Sequence, residues 1–191
     1  MLGFIPSDRF DTGLSGARNT IWQSTWMVLR SAPTRGLGTA LLQEVLDTHS
    51  YGWTGTCGLD HGTRKIYDRL GYRTGTIHQY FMLNSAYDSY RLASVPDALP
   101  VVDVFDGAKL GRLSEPGYFA ATDGLGLDES PLIPAKSRAQ FFNRYMRHPF
   151  YDYALYLVTI SGHAAILATW LCEHAGVKAL RIVDFWVHRR R

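Results

Sequence analysis

A glycine-punctuated junction between an apolar run and a helix-like run constrains this chain more than any other feature. Trp26-Met27-Val28-Leu29 leads into it, Arg35-Gly36-Leu37-Gly38-Thr39-Ala40 forms it, and Leu41-Leu42-Gln43-Glu44-Val45-Leu46 follows. Glycines between a strand and a helix let a ligand approach the backbone, because no Cβ intervenes. The first helical turn adds unpaired N–H groups and a positive dipole end. The combination is an anion site, most often for phosphate. Two phosphate motifs are excluded by spacing. Gly36 and Gly38 lack the third glycine of the dinucleotide fingerprint, and no Gly-Lys-Ser/Thr follows as in a P-loop.

Arg35, Gly38 and Ala40 fit the pattern R-x-x-G-x-A, and Ile66-Tyr67-Asp68-Arg69-Leu70-Gly71-Tyr72 follows after one further strand-like run. In this order the two segments resemble the pyrophosphate loop and the tyrosine-bearing helix of the GNAT superfamily of acyl-CoA N-acyltransferases. The resemblance implies an α/β fold, with a mixed, mostly antiparallel sheet flanked by helices. It implies acetyl-CoA, or another acyl-CoA, as co-substrate.

The resemblance also implies a division of the chain. Residues 1–84 correspond to the C-terminal half of such a domain, from the family's third strand to its last. Residues 85–135, which hold Pro96, Pro100, Pro116, Pro131 and Pro134, read as a linker with Val101–Val104 as one short strand. Residues 136–191 correspond to the N-terminal half of a second unit. The expectation is a truncated reading frame of a tandem protein or, as the second choice, a permuted domain. In the permuted case the strand at Ile21–Leu29 pairs with strands near Tyr153–Cys172.

Local patterns supply the elements. Met1–Ile5 is strand-prone and Pro6-Ser7-Asp8 stops it; residues 8–20 read as loop. Ile21–Leu29 alternates as a strand, with Trp22, Ser24, Trp26 and Val28 on one face. Pro33-Thr34 turns the chain, and Leu37–His49 is a helix with Leu41, Leu42, Val45 and Leu46 at helical spacing. Tyr51–Leu59 reads as a strand weakened by Gly52, Gly55 and Gly58. Asp60 caps the next helix, which carries Ile66, Tyr67 and Leu70, and Gly71 ends it. Thr74–Leu83 alternates as a further strand. Later, Ser137–Met146 is helical, with Phe141, Phe142 and Tyr145 on one side. Tyr153–Ile160 and Ala164–Cys172 form a hairpin about Ser161-Gly162-His163, and Lys178–His188 is a last strand.

By resemblance, the backbone of Arg35, Gly36, Leu37, Gly38, Thr39 and Ala40 holds the pyrophosphate. The Arg35 guanidinium adds a charge-assisted bond. A backbone N–H along Met27, Val28 or Leu29 polarises the thioester carbonyl. Tyr67 is the general acid toward the departing thiolate. Asp60 stands where the family often has an asparagine that contacts the cofactor, so it joins the cofactor-binding set. Its carboxylate adds charge near a polyanion, and capping is the competing role. No general base is identified: Gln23, Ser24 and Thr25 occupy the strand where the family often has a glutamate, leaving His78 and Asp184 as candidates. His61, His148, His163, His174 and His188 form no ligand pair, so no metal site is expected.

The 191 residues are 46% hydrophobic and 13% aromatic, enough for a sizeable core. The net charge of +3 suits an anionic cofactor without demanding nucleic acid, and Arg189-Arg190-Arg191 reads as a solvated terminus. Cys57 and Cys172 read as buried thiols of a reducing compartment. Ala164–Cys172, the longest apolar stretch, is too short for a membrane span, and no signal peptide is seen. The expectation is therefore a cytoplasmic N-acyltransferase acting on a small-molecule amine, with an amino sugar among the candidates. The expected protein partner is a second copy or the remainder of a tandem protein. The alternative is a catalytically inactive CoA-binding or protein-interaction module, or a truncated gene product.

Overall fold

A computed structural model describes residues 1–29, 31, 35–78, 80–84, 86, 89–91, 107–125, 128 and 133–187. It is a mixed α/β structure with antiparallel strand pairs and helices. The chain forms two compact units, one of Met1–Gly55 with Pro100–Arg191 and one of Thr56–Leu99.

The first unit contains two sheets. In the smaller one, β1 (Leu2–Pro6) pairs antiparallel with β2 (Thr20–Trp26), and β2 pairs parallel with β3 (Trp53–Gly55). Helix α1 (Leu37–Thr48) makes the crossover that two parallel neighbours require. Its buried Leu42 and Leu46 lie on the stripe expected from the sequence. Between β1 and β2 the polar segment is three short 3₁₀ turns, Ser7–Arg9, Thr12–Leu14 and Gly16–Arg18.

These turns are tied down by Asn19, which is almost fully buried. Its side-chain oxygen accepts from the Ser7 hydroxyl at 3.0 Å and the Asp8 amide at 3.2 Å. Its amide nitrogen donates to Asp8 Oδ2 and to the Ser50 carbonyl, both at 3.0 Å. Gly52 is required here, since a Cβ would lie 1.8 Å from the Ala17 carbonyl oxygen.

The larger sheet is an antiparallel meander, β4 (Lys109–Arg112), β5 (Tyr153–Ile160), β6 (His163–His174) and β7 (Val177–Val187), in that spatial order. Its two-residue turns are Ser161-Gly162, with φ of 48° and 77°, and Ala175-Gly176, with φ of 50° and 74°. Positive φ at both positions gives the turn twist that matches the strands.

One face of the meander is covered by α3 (Tyr118–Thr122), α4 (Arg138–Phe141) and a π-helical turn (Phe142–Met146), in which the Arg147 amide bonds the Phe142 carbonyl at 3.1 Å. Tyr118, Phe141, Phe142, Tyr145, Leu155, Ile166, Ala168 and Trp186 form the core between them. Burial of each large side chain contributes roughly 1.5–3 kcal/mol. Phe10 and Asp11, in the turns after β1, reach this layer. Asn143 Nδ2 donates to the Phe10 carbonyl at 2.7 Å, and the Ser137 hydroxyl donates to Asp11.

In the second unit, α2 (His61–Arg69) is capped as the sequence indicates. Asp60 Oδ1 accepts from the amides of Gly62 and Thr63, and Gly71 follows the helix at φ 83°. Of its apolar residues only Tyr67 is buried; Ile66 and Leu70 are exposed.

Several expectations are corrected. The strand expected at Ile21–Leu29 stops at Trp26, and the one expected at Tyr51–Leu59 shrinks to Trp53–Gly55. Thr74–Leu83 forms no strand among its described residues, and Ile77, Tyr80 and Met82 are exposed. Alternation alone cannot make a strand where no edge is offered.

The segment read as linker holds β4 and α3, whose Tyr118 is fully buried. Val101–Val104 lies outside the described residues. β2 pairs with β1 and β3; the pairing with strands near Tyr153–Cys172 that a permuted domain could have used is not formed. Cys57 is exposed rather than buried.

Candidate anion site

The candidate site is built where β2 ends and α1 begins. At the end of β2 the chain still borders β1. The Met27 amide donates to the Met1 carbonyl at 2.9 Å, and the Met1 ammonium donates to the Met27 carbonyl at 2.7 Å. The Met27 N–H is therefore engaged. Val28 and Leu29 run on beyond it with exposed side chains. Pro33-Thr34 lies outside the described residues.

Gly36 is the N-cap of α1, with φ 84° and ψ −2°. Nothing lies within 4 Å of where its Cβ would stand. The left-handed conformation, rather than crowding, is thus what demands glycine at this position. Having no side chain, it gives the helix no side-chain cap. The first bond of the helix ladder is Ala40 N–H to the Gly36 carbonyl at 2.9 Å. That leaves the amides of Leu37, Gly38 and Thr39 ahead of the ladder at the positive end of a 12-residue helix. No acidic side chain sits in this first turn, and Arg35 is exposed beside it.

Gly38 has a different reason. A Cβ there would stand 2.7 Å from Trp26 Nε1. The indole at the end of β2 therefore packs directly on the start of α1, and fixes the angle at which the helix leaves the strand.

The remaining predicted residues lie in the second unit. Tyr67 is buried, with its ring edge-on to Tyr72 at 5.2 Å. Burial, reinforced by Tyr72, pushes its hydroxyl up to about 12, so it keeps its proton throughout the neutral range. Asp60 is held below the ordinary carboxylate range, first by the Thr63 amide, then by the Thr63 hydroxyl and the Gly62 amide. Both its oxygens are used: Oδ1 by the amides at 2.7 and 2.9 Å, Oδ2 by the Thr63 hydroxyl at 2.8 Å. The structure thus gives Asp60 a capping role.

Of the two base candidates, His78 is exposed in irregular chain. Asp184 is half-buried and occupied: Oδ1 accepts from Lys136 Nζ at 2.5 Å and Oδ2 from the Tyr145 hydroxyl at 2.7 Å. Sequence reasoning missed this triad because its members lie far apart in the chain and carry no shared local pattern. Among the described residues, no three His, Cys, Asp or Glu side chains gather as a metal site. No helix among them is long and apolar enough to cross a membrane.

Comparison of the chain with protein-family models, with curated proteins and with solved structures found no match in any of the three.

Proposed function

We propose that this protein is an acyl-CoA-dependent N-acyltransferase that binds its acyl donor at the start of α1. The observation that carries the proposal is the parallel β2–α1–β3 unit, whose left-handed Gly36 leaves three first-turn amides without a side-chain cap. A pyrophosphate is the ligand chemistry that fits such a cradle. The amides of Leu37, Gly38 and Thr39 would hold it, with Arg35 supplying a cationic partner from the exposed side. Bound acyl-CoA would supply an activated thioester for attack by an amine. In this reading Val28 and Leu29 offer the backbone donors toward the acyl carbonyl, since Met27 is already paired with Met1. Tyr67, still protonated at neutral pH, has the chemistry of a proton donor, the role that the resemblance gives it. An amino sugar remains among the candidate acceptors.

A second reading, a CoA-binding module without turnover, is favoured by one observation. β2 carries Gln23, Ser24 and Thr25 and no carboxylate, while Asp184 is committed to Lys136 and Tyr145.

Calorimetric titration with acetyl-CoA tests the shared premise. Thr39→Asp places an anion in the first turn, which favours the helix and opposes a bound phosphate. Affinity is expected to fall about tenfold or more with folding intact. Arg35→Glu should weaken binding in the same direction. No binding by the folded wild-type chain overturns both readings. Binding without release of thiol from acetyl-CoA across a panel of amines selects the second.

A further inference from the structure

The four-stranded meander has one face packed, and its other face exposes apolar side chains around a buried central Thr169. This outer face carries Leu110 of β4, Leu171 of β6, and Leu180, Ile182 and Phe185 of β7, each more than half exposed. Strict alternation would not put Ile182 and Phe185 on the same face. The register shows how this happens: Ala168 faces Asp184 while Thr169 faces Ile182, so Val183 is an extra residue on β7. This bulge sends Val183, Asp184 and Trp186 toward the core side and leaves Ile182 and Phe185 on the outer side.

We infer that this face is the interface between two copies of the chain, which stack sheet on sheet about a two-fold axis. Size is the first argument. Four strands spaced ~4.8 Å apart and about nine residues long give a face of roughly 20 Å by 30 Å. Two such faces bury on the order of 1,200 Å², above the ~1,000 Å² that a specific interface needs.

Charge is the second. The face is nearly neutral: Glu173 and Lys178 pair with each other at 3.6 Å, leaving Arg112 at the β4 edge. A neutral apolar face meets its own copy without repulsion. An acidic partner or an anionic membrane would instead select a cationic one.

The third argument is that edge pairing is disfavoured as an alternative. The bulge interrupts the regularity of β7, and its Phe185 carbonyl already accepts from Lys136 Nζ at 2.8 Å. Flat apolar faces of two sheets, by contrast, pack readily at ~10 Å separation. The inference is independent of the acyltransferase proposal.

Sedimentation velocity of the full chain over a concentration series tests it. The expected result is a monomer–dimer equilibrium with no larger species. Leu180→Glu should abolish the dimer. The milder, strand-compatible Ile182→Thr should weaken it roughly tenfold, because a two-fold interface counts each change twice. Near-ultraviolet circular dichroism of the buried aromatic core identifies any variant that has lost its fold, and Ile182→Thr then decides the outcome. A wild-type chain that stays monomeric overturns the inference. So does a dimer that Ile182→Thr leaves unchanged, growth beyond the dimer, or a monomer that binds neutral phosphatidylcholine vesicles instead.

Discussion

The two sheets of the first unit lie in one compact body, but their interiors differ in kind. Around the three-stranded sheet the buried set is strongly polar: Ser7, Asn19, Thr20 and Gln23 accompany Leu14, Ile21 and two leucines of α1. Around the four-stranded sheet Thr122, Ser137, Gln140 and Thr169 are buried too, but the interior is dominated by aromatic rings, with Phe141 5.5 Å from Trp186 and 5.0 Å from Tyr145. The difference is one of directionality. Hydrogen bonds hold a turn-rich segment in a single geometry but contribute little net free energy each, roughly 0.5–1.5 kcal/mol. Burial of rings is non-directional and contributes more. The first arrangement fixes a turn-rich backbone in one geometry; the second builds a platform.

Removing the largest ring tests the contrast most severely. Trp186→Ala should cost about 3–5 kcal/mol in urea-induced unfolding, because it opens a cavity against Phe141. A loss below about 1 kcal/mol would mean that the aromatic layer does not hold the meander. Next in size is Asn19→Ala, which strands the Ser7 hydroxyl and the Ser50 carbonyl. The expected cost is about 1–3 kcal/mol. Hydrogen exchange should quicken in β1 and β2 while β5 and β6 stay protected; uniform quickening would erase the distinction between the sheets.

Gly36→Ala comes third. It forces a Cβ into φ 84° with no steric neighbour, so its cost is backbone strain of roughly 1–2 kcal/mol. Gly38→Ala displaces the Trp26 indole instead and should change its fluorescence. If neither variant shifts stability or emission, the account of the two glycines fails.

The smallest effects sharpen the same contrast in the second unit, where Asp60 is a polar cap and Tyr67 a buried ring. The folded carboxyl of Asp60 is lowered, so its contribution is present above about pH 4 and lost as pH falls through the folded value. Asp60→Asn keeps the cap and should remove that acid sensitivity of α2 in circular dichroism. The Tyr67 hydroxyl is raised, so its contribution is present below about pH 10 and lost as pH climbs to about 12. Tyr67→Phe should flatten the alkaline limb; an unchanged limb would place the titration elsewhere.

Much of the local geometry at the candidate anion site was legible in the sequence alone. A strand running into glycines and then a helix is a local pattern, and Gly36 with its left-handed φ is a local consequence. The cap at Asp60 and the hairpin at Ser161-Gly162 are local in the same sense. Less legible was why Gly38 is glycine. The motif assigned it to a ligand, whereas the structure also seats Trp26 against it. Gly52 is similar: it counted against a strand, yet it admits the Ala17 carbonyl from a turn distant in sequence.

By itself, then, the sequence determined the elements that short-range chemistry specifies: the cap of α2, the stripe of α1, the tight turns and the glycine junction after β2. Only the tertiary structure decided which strand-prone segments found partners. Lys109–Arg112, with little strand character of its own, became β4 because β5 offers it an edge, while the more strand-like Thr74–Leu83 forms no strand among its described residues. Tertiary structure also placed the bulge at Val183, and with it the outer apolar face. The reason is physical: caps and turns are satisfied within a few residues, whereas a strand is stabilised only by a neighbour that the chain must bring from far away.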